Sequence, residues 1–264
     1  MSDQADQTIT ALRTGHDELA ALVTSMTPDD LARPSAATEW NISQVLSHLG
    51  SGAEIALGTL EGALEGTGNP GSEFNQSVWA RWDAMTANEH AEGFLRADEA
   101  LVTRYESLDD TARTQLSIDL GFLPEPVDVA TAAATRLSEF TYHTWDIQVM
   151  SDPAAVLAPD AVELLLDQLV VFMGFLGHPE ALNGRQLTLA VQTTEPDRSF
   201  GLDLRDAVTL VDTPAQPDGV LTTPAEAWLR LATGRLAPRH TPSTVQLTGG
   251  TITLDDLRRV FPGF

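Results

Sequence analysis

The sequence predicts an α+β protein of two domains: a four-helix bundle over residues 1–153 and a smaller α/β domain over residues 154–264. In the first domain, apolar residues recur at steps of three and four, which is the period of an amphipathic helix. After about residue 186 they alternate instead, as they do in short strands. The segment 151–153 contains a proline and interrupts the helical pattern, so it marks the predicted boundary.

Four long helices, joined by loop segments, predict an antiparallel bundle in the first domain. Their predicted ranges are about Asp3–Ser25, Asn41–Leu64, Thr86–Leu108 and Asp128–Met150. Asn41 and Gln44 are spaced as in a capping box, and Thr27 followed by Pro28 predicts a further helix start. Glycine and proline residues predict a loop over 66–71.

The second domain is predicted to begin with an apolar helix and to continue as a small sheet with further helices. Helices are expected over 160–176, 224–232 and 254–260, and strands over 187–191, 199–204, 208–211, 219–221 and 245–247. Strands interleaved with helices in this way are typical of α/β or α+β domains.

Acidic residues dominate the composition. The chain has 38 Asp and Glu against 15 basic residues, for a net charge of −23. A surface of this sign repels nucleic-acid phosphates and anionic lipid headgroups, so we expect neither a nucleic-acid nor a membrane partner. An anionic substrate would require arginines placed against it.

All 15 basic residues are arginine, and the chain has no lysine and no cysteine. Schiff-base chemistry, disulfides, four-cysteine zinc sites and a protein thiol nucleophile are therefore excluded. The polar, acidic first ten residues predict no signal peptide, and the sequence has no apolar run of about 18 residues that would predict a membrane span. We therefore expect a cytoplasmic protein.

Three residues form the candidate metal site: His48 on the second predicted helix, and Glu139 and His143 on the fourth. Glu139 and His143 are four residues apart, so their side chains lie on one face of the helix. Facing helices of a bundle commonly carry metal ligands. Two histidines and one carboxylate suit a catalytic divalent cation, because three protein ligands leave a position open for water or substrate.

A second interpretation of the same residues needs no metal. Arg136 with Glu139, and His143 with Asp146, are also spaced as ordinary exposed pairs on a helix surface. Elsewhere, His16 lies on the apolar face of the first helix and is expected to be buried and hydrogen-bonded. His90, His178 and His240 lie in polar or loop contexts and are expected at the surface. The sequence contains neither a lysine-bearing phosphate loop nor a Gly-x-Ser-x-Gly motif.

Three segments together carry a family resemblance. Residues 40–49 contain Trp40 and the helix start that leads to His48. Residues 136–146 contain Glu-x-x-x-His followed by Trp-Asp, and residues 227–236 contain a tryptophan and a Gly-Arg pair. In this order they resemble the mycothiol-dependent maleylpyruvate isomerase-like proteins, which belong to the wider DinB-like four-helix-bundle superfamily. The resemblance covers nearly the whole chain.

The resemblance implies a zinc ion held by His48, Glu139, His143 and water, although two histidines and a carboxylate also suit Fe²⁺ or another divalent metal. It implies mycothiol as a thiol cosubstrate and an actinobacterial source. The expected partners are a small substrate molecule and this low-molecular-weight thiol, and the expected state is a monomer. The sequence assigns no further cofactor-binding residues.

The implied reactions are those of an isomerase or an S-transferase acting on a small electrophile that can carry a carboxylate. Arg235, with Arg230 as second choice, is the candidate catalytic residue that pairs with such a carboxylate. Alternatively, both arginines are surface residues near the end of an amphipathic helix. Two other functions stay open: a metal-dependent hydrolase of the DinB-like superfamily, and a non-catalytic binder of a metal or small ligand.

Overall fold

The computed structural model describes residues 2–250 and 252–263 and divides the chain into two compact units, residues 1–161 and 162–264. The division falls inside helix α8 (Pro159–Leu176), which follows the segment 151–153. The exact boundary at residue 153 stays a prediction. The α+β class, with helices first and a mixed sheet second, is confirmed.

The four predicted long helices form the core of the first unit. The helices of this unit before α8 are α1 (Ser2–Thr24), α2 (Pro28–Leu31), α3 (Ile42–Glu65), α4 (Ser72–Asp83), α5 (Ala87–Glu106), α6 (Asp110–Gln115) and α7 (Val129–Gln148). Helix α1 packs against α5 and α7, and α3 packs against the same two helices. The four therefore form a closed bundle whose interior is filled by the apolar stripes.

Local sequence signals set the starts of these helices. Asn41 accepts a hydrogen bond from the Gln44 backbone, and the Gln44 side chain accepts one from the Asn41 backbone, so the predicted capping box is confirmed. Thr27 caps α2 in the same way, with Pro28 in its first turn. Because such caps satisfy backbone groups that a helix end leaves open, they fix where α3 begins and hence where His48 lies.

Helix α4 was not predicted, and its presence changes the environment of His90. The Trp82 ring of α4 lies against Gly50 and Gly93, where an added Cβ would approach it to 2.1 and 2.8 Å. His90, predicted at the surface, is instead buried beneath this ring and bonded through Nε2 to the Trp82 carbonyl oxygen (2.9 Å). The prediction for His90 was wrong because it did not include α4, whose Trp82 ring covers this histidine.

The second unit is built on a five-stranded sheet. Its strands are β1 (Thr188–Thr194), β2 (Arg198–Leu204), β3 (Val208–Val211), β4 (Gly219–Pro224) and β5 (Gln246–Thr248), in the order β3-β2-β1-β4-β5. The β1–β4 pair is parallel and the other neighbours are antiparallel. Helices α9 (Ala225–Ala232) and α10 (Leu254–Val260) complete it, as predicted. Among the described residues, no helix is both long enough and apolar enough to cross a bilayer.

Candidate metal centre

Helices α3 and α7 bring the three predicted ligands together. The nitrogen and oxygen atoms that His48, Glu139 and His143 can offer all lie within 4.8 Å of one another. His48 Nε2 is 3.0 Å from Glu139 Oε2, and His143 Nε2 is 3.8 Å from the same oxygen. The bundle thus brings together, from two of its helices, the three residues that the sequence predicts as metal ligands.

The two histidine-to-Glu139 separations are close to those expected around a single cation. Ligand atoms ~2.0–2.2 Å from zinc in tetrahedral geometry lie roughly 3.3 Å from each other. The two histidine-to-Glu139 distances fall on either side of that value. His48 and Glu139 keep 38% and 39% of their side chains exposed, whereas His143 is buried, so the group is open on one side. An open side is what a catalytic ion requires for an exchangeable position.

Asp146 supports His143 from behind. His143 donates from Nδ1 to the Asp146 carboxylate at 2.9 Å, and Asp146 is fully buried. This bond places the proton on Nδ1 and leaves the Nε2 lone pair directed toward His48 and Glu139. A carboxylate in this position is the usual partner of a metal-binding histidine, because it fixes both the tautomer and the ring orientation.

The electrostatics favour an ionised Glu139. Burial alone would raise the pKa of Glu139, but the hydrogen bond with His48 and the electrostatic influence of His143, His48 and Arg136 more than offset it. The resulting pKa of Glu139 lies below its usual range. Glu139 can therefore offer an anionic carboxylate oxygen as a ligand to a cation.

A buried polar network underlies the centre and was not predicted. Asp98 of α5, 1% exposed, accepts from His16 Nδ1 of α1 (2.8 Å) and from Arg136 Nη2 of α7 (2.7 Å). Arg136 Nη2 also donates to the carbonyl oxygen of Leu49, the residue after His48 (2.9 Å). The network therefore ties α7 to the turn of α3 that carries His48. The expected burial of His16 is confirmed.

Gly52, one turn after His48 on α3, leaves space that Arg136 fills. A Cβ at Gly52 would lie 3.2 Å from Arg136 Nη1. Arg136 is only 7% exposed, and His143 and Asp146 are buried as well. The alternative in which these residues form ordinary exposed helix pairs is therefore wrong.

A tight loop places Trp40 beside both histidines. The Trp40 ring centroid lies 5.1 Å from that of His48 and 6.0 Å from that of His143. Ser35 bonds to the Trp40 carbonyl oxygen, and the Ala36 backbone donates to the Asp146 carbonyl oxygen (2.9 Å). Trp40 keeps 37% of its surface exposed, so its ring forms a partly exposed apolar wall at the centre.

The two candidate arginines lie in the second unit. Arg230 is 1% exposed, pairs through Nε and Nη2 with both Glu226 oxygens (2.7 and 2.8 Å), and donates from Nη1 to the His240 carbonyl oxygen. Arg235 is half-buried and donates from Nη1 to the Thr233 carbonyl oxygen (3.1 Å). The Arg230 side chain is thus enclosed by its own unit, while Arg235 as a residue is less buried.

Comparison with known proteins gives a family and a fold. A family model described as the mycothiol maleylpyruvate isomerase N-terminal domain matches residues 12–148. Two crystal structures of the mycothiol-dependent maleylpyruvate isomerase, one of them a histidine-to-alanine mutant, match with a TM-score of 0.65 each. They are 12% and 13% identical to the chain, and each match covers 94% of this chain and 95% of the other. No curated protein sequence matches. At this identity the crystal structures establish the likeness of fold.

Proposed function

The chain belongs to the family of the mycothiol maleylpyruvate isomerase N-terminal domain, and from that premise we propose that it is a metal-dependent enzyme using mycothiol as thiol cosubstrate. The proposed metal is zinc, held by His48, Glu139 and His143. The observation that carries the proposal is the convergence of these three side chains with Asp146 supporting His143. The proposed state is a cytoplasmic monomer.

The chain's own residues prepare a site for an external thiol. A divalent cation at the centre would supply the positive charge that favours the thiolate form of a bound thiol. Glu139 and His48 leave one side open, and Trp40 provides an apolar wall beside it. Since the chain has no cysteine, the sulfur nucleophile must arrive with a small molecule.

Two reactions use such a thiolate on a small electrophile. In the isomerase reaction, sulfur adds to one carbon of a cis carbon–carbon double bond conjugated to a carbonyl group. Rotation about the resulting single bond and expulsion of the thiolate then give the trans product with unchanged composition. In the S-transferase reaction, the new carbon–sulfur bond is kept: an enone adduct takes up a proton at carbon, whereas an activated aryl halide expels its halide ion, and the conjugate then leaves. We propose that the protein is an isomerase or an S-transferase that acts on a small electrophile of this kind.

A substrate carboxylate needs a cation in a protein of net charge −23. We propose Arg235 for this role, since this residue is less buried than Arg230. Arg230 comes second, because Glu226 already takes a two-point contact with its guanidinium. A bidentate arginine–carboxylate contact is stronger and more directional than a lysine contact would be.

The test combines metal analysis with thiol-dependent turnover. We expect about one divalent ion per chain as purified, lost in His48→Ala and His143→Ala but kept in the control His178→Ala, whose side chain is 49% exposed. Turnover of maleylpyruvate or an activated aryl halide should require added mycothiol. Arg235→Ala should lower turnover of acidic substrates roughly tenfold to a hundredfold without loss of metal, and Arg235→Lys should recover part of it.

Three outcomes would contradict the proposal. Full metal occupancy in the double variant His48→Ala/His143→Ala would remove the site. Turnover at full rate without any thiol would identify a hydrolase instead. A bound metal with no turnover of any electrophile would leave a non-catalytic binding protein.

A further inference from the structure

The Trp40 indole lies against both imidazoles of the candidate metal centre. Its ring centroid is 5.1 Å from that of His48 and 6.0 Å from that of His143, with interplanar angles of 43° and 32°. Centroid separations of ~4.5–7 Å are those of aromatic rings in direct contact. A small molecule bound at the open side of the centre would therefore have this indole as a neighbour.

Part of the indole is accessible to such a molecule. The two backbone polar groups of Trp40 are bonded inside its own loop: the N–H donates to the Ala37 carbonyl oxygen (3.2 Å), and the carbonyl oxygen accepts from the Ser35 N–H (3.0 Å) and hydroxyl (2.8 Å). The indole is by far the largest part of a tryptophan, so the 37% of Trp40 that is exposed includes part of the ring. The side chains of His48 and Glu139 are exposed to a similar degree, at 38% and 39%.

The loop before α3 holds the indole in this position. Glu39, the residue before Trp40, has a φ of 72°, in the left-handed region that a residue with a Cβ adopts only at a cost. A strained residue persists only where its surroundings fix it. The Ala36 N–H supplies such a restraint, because it donates to the carbonyl oxygen of Asp146 on α7 (2.9 Å). The loop that presents Trp40 is thus bonded to the helix that carries two of the candidate ligands.

A purely structural role would explain only part of this arrangement. Trp40 precedes the N-cap residue Asn41, and an apolar residue at this position often packs against the first turns of the helix. That role requires apolar bulk, which a leucine would also provide. It requires neither an aromatic face against two imidazoles nor more than a third of the residue in contact with solvent.

An indole face favours one kind of electrophile. The π system of an aromatic ring carries negative partial charge on its face. A carbon–carbon double bond conjugated to a carbonyl group, or an activated aromatic ring, is planar and electron-poor, so its face is attracted to the indole. A saturated electrophile of the same size has no such face and gains only from burial of its apolar surface. The indole therefore discriminates by planarity and electron density as well as by size.

We propose that Trp40 is a specificity-determining residue, whose indole packs against the planar, electron-poor part of the electrophile while sulfur is held at the metal centre. This inference rests on the proposed function, because it needs a thiol bound at that centre. It adds a substrate preference: planar unsaturated or aromatic electrophiles are favoured over saturated ones of equal size.

The probes are benzyl mercaptan and cyclohexylmethanethiol, which share a carbon skeleton but differ in that only the first has a planar aromatic ring. In protein loaded with Co²⁺, a sulfur-to-cobalt absorption band reports binding of each thiol. We expect the wild type to bind benzyl mercaptan more tightly. In Trp40→Leu this preference, the ratio of the two Kd values, should fall roughly two- to tenfold, as the loss of an aromatic pair predicts. Trp40→Phe should keep most of the preference.

Controls separate recognition by the ring from other effects of the substitution. Comparing the Kd ratio between variants removes the difference in acidity between the two thiols. Trp79→Leu is the matched control, because Trp79 lies on α4 and is 49% exposed, and its preference should equal that of the wild type. If Trp40→Leu does not fold or does not bind Co²⁺, nuclear Overhauser contacts from the benzyl ring to the Trp40 indole in the zinc-loaded wild type give the answer instead.

Several results would overturn the role of Trp40. They are equal binding of the two thiols by the wild type, an unchanged preference in Trp40→Leu, an equal loss of preference in Trp79→Leu, and the absence of those Overhauser contacts. A wild type that binds Co²⁺ but neither thiol would instead contradict the proposed function, and this inference with it.

Discussion

Arg136 in the first unit and Arg230 in the second are both buried and both paired with a carboxylate, yet the two pairs differ in what they hold together. Arg230 pairs with Glu226, four residues earlier on the same helix. Arg136 pairs with Asp98 of another helix and donates to the backbone of a third. The Glu226–Arg230 pair lies within one short helix, and Arg230 also donates to the His240 carbonyl oxygen ten residues later. Arg136 instead joins α5 to α7 and α3, the two helices that carry the candidate metal ligands. Burial of an arginine alone therefore does not mark a functional site.

The largest expected effect comes from removing the two arginines in turn. Arg136→Met should cost about 3–5 kcal/mol of unfolding free energy, because the buried Asp98 carboxylate loses its arginine partner and keeps only the hydrogen bond from His16. Arg230→Met should cost less, roughly 1–3 kcal/mol, because 12% of the Glu226 side chain stays exposed to water. Urea denaturation of both variants measures the difference.

A paired substitution checks the cause of that loss. Asp98→Leu combined with Arg136→Met removes both charges, so most of the stability should return. If the double variant were as unstable as Arg136→Met alone, the buried charge would not be the reason. Equal losses for Arg136→Met and Arg230→Met would remove the contrast between the two regions.

The next effect concerns metal affinity and is expected in the first unit alone. Asp146→Ala should weaken binding of the divalent ion about tenfold to a hundredfold, since the orientation of His143 is lost. Chelator competition measures this. Asp83→Ala, at an exposed position on α4, is the matched control and should bind the ion like the wild type. Unchanged affinity in Asp146→Ala would mean that His143 is oriented by other contacts.

The smallest effect is a pH dependence in the second unit. The hydrogen bond from Arg185, assisted by Thr253, lowers the pKa of Asp256 from its usual 3.8 to about 2. The carboxylate therefore stabilises the fold fully above about pH 4, and this contribution is lost as the pH falls toward 2. The difference in unfolding free energy between the wild type and Asp256→Asn should shrink over that interval. A difference that stays constant from pH 6 to pH 2 would contradict it.

Many elements of the fold, including short ones, were predictable because their apolar periods are clear. Helix α10 (Leu254–Val260) and strand β3 (Val208–Val211) fall where the pattern placed them, and the capping residues Thr27 and Asn41 are as expected. Helix α4 was not predicted because its buried residues are Val78 and Trp82, and two residues are too few to form a recognisable apolar stripe in the sequence. Its absence from the prediction in turn made His90 look exposed.

The candidate site was predictable where its residues are close in sequence or form a recognisable motif. Glu139, His143 and Asp146 lie within two turns of one helix, so their common face follows from spacing. Asp98 gave no such signal, because a lone aspartate in a polar stretch usually faces solvent. Its partners His16 and Arg136 are 82 and 38 residues away along the chain, and only the closed bundle brings them together.

The position of Trp40 has an optical consequence. Its indole lies 5.1 and 6.0 Å from the two imidazoles of the metal centre, and the loop that carries it is bonded to the backbone of α7. The emission of an indole so close to a binding site depends on the charge and the electronic structure of whatever is bound there. The protein thus carries its own fluorophore at the proposed metal centre, without any added label.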